Sequence, residues 1–225
     1  MRRIDLGGST GRAVVTVLAV LGLGAGLLVG FESLSTIPGC GTTESAYPSL
    51  TAQDWRAGAD HVIVATPTRE QPSTELRHES GPWSATTQRT VGLRVDTTLW
   101  SAPKPRHTLG TDISVEAPGW RTSRTTQQRI DDTDGARPRL ETGHTYLLAL
   151  RWTGAQWLPL GEGAVVPFDN HTVGNGEWCG QTYTPEEFAE GEKFSRKDAR
   201  SLEETLLGQD EKAVRQELAR TPRQP

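Results

Sequence analysis

Val91-Gly92-Leu93-Arg94-Val95-Asp96-Thr97-Thr98-Leu99 decides the fold class. Val91, Leu93, Val95, Thr97 and Leu99 alternate with polar or small residues, and a period of two belongs to a strand with one buried face. Gly92 marks a candidate bulge in it. Upstream, Ala59-Asp60-His61-Val62-Ile63-Val64-Ala65 reads as another strand that Pro67 ends. Thr68 to Ala85 is polar, carries two prolines and reads as a loop. Downstream, Asp112 to Ala117 is a shorter strand and Pro118 to Arg139 a long polar loop. His144 to Trp152 and Gln156 to Leu160 flank Thr153-Gly154-Ala155, a hairpin signal, and Ala164 to Phe168 adds one more strand.

The C-terminal part changes period. Thr184-Pro185-Glu186-Glu187 has an N-cap residue, a proline at the first helical position and a glutamate three residues on. Leu202, Leu206 and Leu207 share one helical face up to Gly208, and Asp210 opens a helix carrying Val214 and Leu218. Strands first and helices after predict a mainly antiparallel β domain with a helical tail.

Ahead of this domain, Ala13 to Phe31 is an unbroken apolar run behind Arg2, Arg3 and Arg12. Its 19 residues would span roughly 28 Å as a helix, close to the thickness of a bilayer core. The arginines place the N-terminus in the cytoplasm and send the rest outside. The expected layout is a cytoplasmic tail (1–12), a transmembrane helix (13–31), a tether (32–50), an extracytoplasmic β domain (51–183) and a helical C-terminal extension (184–225). An uncleaved anchor in the cell membrane is the favoured reading. Cleavage stays open, as does lipidation of Cys40 in the lipobox-like Ile37-Pro38-Gly39-Cys40. Gly22, Gly26 and Gly30 line one face of the span, where close helix packing would give a weak homodimer, or they reflect a glycine-rich composition.

Ala59 to Ala65, preceded at a distance by Cys40, resembles the opening strand of netrin-like domains, the group that includes tissue inhibitors of metalloproteinases. Tyr146-Leu147-Leu148-Ala149-Leu150, with Trp157-Leu158 after a glycine turn, is similar to their later hairpin. The resemblance runs from about Cys40 to Cys179. It implies a small OB-type antiparallel barrel with flanking helices. Members of that group carry several disulfides, whereas this chain has two cysteines. In the inhibitors, a cysteine at the mature N-terminus chelates the protease zinc, a role open to Cys40 only after cleavage.

The charged and aromatic residues point away from several functions. Net charge is -4 and spread along the chain, so no basic patch argues for nucleic acid. The five histidines, 61, 78, 107, 144 and 171, show no metal-ligand spacing, and neither a nucleophile elbow nor a phosphate loop is present. Asp131-Asp132-Thr133-Asp134-Gly135 with Glu141 imitates part of a calcium loop, but Ile130 stands where the first ligand belongs, so it reads as a solvated acidic turn. No catalytic, cofactor or metal residue is assigned. Trp83 and Trp120, read in polar loops, are candidate surface contacts or lids over the ends of the sheet. The expected function is a membrane-anchored binding or interaction module of the cell envelope, its partner an envelope protein or glycan. The alternatives are an envelope hydrolase and a protease-inhibitor-like domain.

Both cysteines, Cys40 and Cys179, lie beyond the apolar run, and outside the reducing cytoplasm such a pair is expected as a disulfide. It would close a loop worth roughly 4–5 kcal/mol in the chain-entropy model. The unreduced, denatured protein should therefore take up no thiol reagent, and reduction should lower the melting temperature. Two labelled thiols before reduction would rule the bridge out.

Overall fold

The computed structural model describes residues 47–132, 138–178, 181–184, 186 and 201–222. The apolar run with Gly22, Gly26 and Gly30, both cysteines, and Asp134 and Gly135 of the acidic turn lie outside these residues. Among the described residues, no helix is long and apolar enough to cross a membrane.

The domain is mainly β. Helix α1 (Ala52–Gly58) leads into β1 (His61–Arg77), β2 (Trp83–Ser101), β3 (Asp112–Ser123), β4 (Arg129–Asp131), β5 (Tyr146–Trp152), β6 (Trp157–Pro159) and β7 (Val165–Pro167). These seven strands form one sheet. A small hairpin, β8 (Gly176–Trp178) and β9 (Gln181–Tyr183), follows, and then helices α2 (Leu202–Leu206) and α3 (Glu211–Arg220). The ladder runs β1-β2-β3-β6-β5-β7, and β5 pairs with β1 as well. Every pairing is antiparallel except the short contact of β3 with β6.

Strand β1 serves two cores because Val62 to Ala65 is apolar at four successive positions, two on each face. On one side Ile63 and Ala65 join Val91, Leu93, Val115, Tyr146, Leu148, Leu150 and Trp157. On the other, Val62 and Val64 join Leu147, Ala149, Leu160 and Phe168 beneath the helices. Helix α1 starts at Thr51, whose hydroxyl accepts from the Asp54 N–H while the Asp54 carboxylate accepts from the Thr51 N–H. This capping box sets Trp55 into the second core, fully buried, with its indole N–H donating to the Ser49 carbonyl at 2.7 Å. Leu202, Leu206, Val214 and Leu218 enter the same core, and Asp210 caps α3 as its spacing predicts.

Two of the expected loops are strands. Pro67 does not end β1: the strand runs ten residues further, and the segment from Thr68 to Ala85 is mostly a long β1–β2 hairpin. Likewise β3 continues through Pro118 to Ser123 and pairs with β4. The irregularity expected at Gly92 sits across from it, where Thr68 is the extra residue between Pro67 and Arg69. Gly92 itself makes room for the Arg69 side chain, 2.8 Å from where a β-carbon would stand.

Leu218 is 1 % exposed. Leu218→Ala should cost about 2–5 kcal/mol, read as a lower denaturation midpoint with an unchanged slope. Lys212→Ala, on the exposed side of α3, should stay within about 0.5 kcal/mol. Equal midpoints for both would show that α3 is not part of the core.

Candidate functional site

Beyond the core, β1, β2 and β3 extend together and β4 joins them, making a four-stranded arm. From Thr68 to Arg77 the residues of β1 are exposed on both faces. The register assigns each arm residue to a face, since directly paired residues share one and neighbours alternate. Leu76, Thr86, Arg121 and Ile130 form one cross-strand row. The opposite face carries Arg77, Ala85, Thr122 and Arg129 in one row and Glu75, Thr87, Trp120 and Asp131 in the next. Gly119 makes the second face possible. It is the extra residue between the Gln88–Pro118 and Thr87–Trp120 pairs, and a β-carbon there would fall 2.4 Å from the Thr87 carbonyl oxygen.

A buried cationic cluster roots the arm. The Arg89 guanidinium, 1 % exposed, donates to the Pro118 carbonyl at 2.8 Å, to the Arg139 carbonyl and to the Glu70 carboxylate. Burial, and then the Arg139 charge, push its pKa below the usual arginine value, while Glu70 pulls it back. Arg139 donates to the carbonyls of Gly119 and Asp132 at 2.6 and 3.0 Å, and ion-pairs with Glu141 at 2.7 Å and Asp131 at 3.2 Å. Leu140, between them, is buried at φ +56°. A left-handed leucine costs about 1–2 kcal/mol, and here it turns the Arg139 and Leu140 carbonyls toward the Arg89 guanidinium. Glu177 of β8 accepts from the Arg139 N–H at 2.7 Å and from the Tyr146 hydroxyl at 3.3 Å. Burial, then the Glu177 charge, push the Tyr146 phenol far up, so it stays a neutral donor.

The two candidate tryptophans lie in strands, not loops, on opposite faces of this arm. Trp120 has two guanidiniums at its ring, Arg129 at 4.2 Å and Arg139 at 5.6 Å from the centre. Trp83 shares the other face with Arg121, 5.9 Å from its ring. Both are half-buried. Leu76, 61 % exposed, and Ile130, 48 % exposed, are the large apolar side chains the arm leaves to solvent. Sequence reasoning passed over them because it read their segments as loops.

The histidines do not converge. His61 and His107 pack with Trp152 and Trp157, His107 stacking on Trp152 at 4.0 Å. His78 bonds Thr86, His144 pairs with Asp169 at 2.6 Å, and His171 with Glu211 at 3.1 Å. Among the described residues, no group of three or more His, Cys, Asp or Glu is placed to hold a metal. Of the calcium-like stretch, Asp132 and Glu141 are ion-paired to Arg121 and Arg139. No protein-family model matches the chain, and no curated protein does either.

Asp60 fastens the loop after β2. Its carboxylate accepts from the Trp152 N–H at 2.8 Å, the Arg106 N–H at 2.9 Å and the Arg106 guanidinium at 3.0 Å. Burial opposes ionisation most strongly, but these three bonds and the Arg106 charge together hold the carboxyl below its usual value of 3.8. A lowered folded-state pKa adds stability that is complete above the unfolded value and is lost as pH falls through the folded one. Asp60→Asn should therefore cost about 2–4 kcal/mol at neutral pH, and this deficit should shrink as pH falls below about 4. Unfolding curves of parent and variant that stay equally far apart from pH 7 to pH 3 would contradict this role.

Proposed function

We propose that the chain is a membrane-anchored, extracytoplasmic binding module of the cell envelope, built on an OB-type, netrin-like barrel, and that the arm is its recognition element. The return of the ladder to β1 through β5, with the parallel contact of β3 and β6, supports the barrel. The apolar run and its arginines support the anchor, and the position of both cysteines beyond it supports the disulfide. What carries the binding role is the arm itself. It is a sheet without a core of its own, exposed along β1 on both faces, yet rooted by two buried arginines bonded to backbone carbonyls. A rigid platform with adjacent aromatic and cationic side chains suits recognition of a protein or glycan surface.

Arg77 and Arg129 stand exposed at the two ends of one cross-strand row on the Trp120 face. Full-length protein in lipid nanodiscs should be retained on purified cell-wall glycan or on solubilised envelope protein immobilised in parallel. Arg77→Glu combined with Arg129→Glu should cut that retention about tenfold or more without moving the melting temperature. Retention on neither fraction, or equal retention of variant and parent, would refute the arm as the recognition element.

A further inference from the structure

The other face of the arm has a pattern of its own. Across four strands its central row reads Leu76, Thr86, Arg121, Ile130, with an apolar residue at each edge and the single charge off centre. The next row toward the hairpin tip sets Trp83 beside Ser123. Consider a two-fold axis lying in this face, parallel to the strands and between β2 and β3. It carries each residue to the mirror position on the far side of the axis in a second, facing sheet. Leu76 of one copy then covers Ile130 of the other, and the reverse holds at the opposite edge. Arg121 falls on the neutral Thr86 and never on its own symmetry mate. Trp83 falls on the small Ser123. Every large side chain thus meets either an apolar partner or a small one, as an isologous interface requires. Facing sheets pack about 10 Å apart with strands roughly aligned, which this axis allows.

We infer that this face is a homodimer interface, whose occupant is the same face of a second copy of the chain. It leaves the Trp120 face, and the binding role proposed for it, untouched. It also differs from association through the glycines of the apolar run, since its determinants are Leu76 and Ile130. Alternative occupants fit less well: a foreign apolar surface would leave the part-exposed Arg121 guanidinium facing hydrocarbon.

The test uses full-length protein purified in detergent, alone, with its mass measured by sedimentation across a concentration series. Leu76 and Ile130 of one chain lie three strand spacings apart, about 14 Å, so their side chains cannot pair within the chain. Leu76→Asp and Ile130→Lys should each weaken dimerisation at least about tenfold, because each change occurs twice across the two-fold. Leu76→Asp together with Ile130→Lys in one chain should restore it, since the axis sets opposite charges across from each other. Both positions are exposed, so an unchanged circular-dichroism spectrum in each variant confirms the fold. A monomer at all concentrations, a dimer in all four proteins, or loss in the single variants without recovery in the double would each overturn the inference. Retention on envelope fractions is measured separately and can survive that outcome.

Discussion

The buried guanidinium of Arg89 is the constraint on which the rest of the outer structure depends. A charge taken out of water must be met on every side or its cost is several kcal/mol. Here the partners come from three separate stretches: Glu70 on β1, Pro118 on β3, and the adjacent carbonyls of Arg139 and Leu140. None of these can move away without stranding the charge. The Gly119 bulge follows from this, because its carbonyl must reach Arg139 and the Asp132 N–H at once. So does the left-handed backbone at Leu140. The arm is exposed, but its base is fixed by the least negotiable interaction in the domain.

The core was largely legible in the sequence, and the arm was not, for one physical reason. Alternation reports a strand only when one face is buried. Val91 and Leu93 have such a face, Tyr146 to Leu150 is a continuous apolar run buried on both, and their strands stand where those patterns put them. From Thr68 onward β1 has none, so apolar periodicity vanishes and the prolines dominate the reading. The surviving signal was propensity: Ser84 to Thr90 holds three threonines, a residue that fits a pleated surface. Helix α1 was missed differently. Its capping box uses Asp54 where glutamate or glutamine is the usual sign, and the shorter side chain still reaches the Thr51 N–H.

The candidate site divides along the same line. Trp83 and Trp120 were singled out because large aromatics in polar surroundings need an explanation, and both do belong to one exposed element. Their separation onto opposite faces depends on the bulges at Ser84 and Gly119, each adding a residue that shifts register. No local pattern announces those shifts. Arg89 and Arg139 were equally silent, since a buried arginine looks in sequence like a solvated one until its carbonyl partners are assembled from distant strands.

A long exposed strand also raises the question of whether its edge, and not its faces, would bind. Past Ala65, β1 no longer has β5 beside it, so a dozen residues offer backbone groups on one side. Such an edge invites another strand. This one is built against it. Pro67 and Pro72 lack N–H groups, extra residues interrupt the register around Thr68 and between Pro72 and Glu75, and Arg69, Glu70, Glu75 and Arg77 crowd it with charge of both signs. An incoming strand would find no run of evenly spaced donors and acceptors. The faces carry no such obstacles: Leu76 and Ile130 stand open on one, Arg77 and Arg129 on the other. An arm closed to strand addition associates through its faces, without the hazard of uncontrolled assembly along its edge.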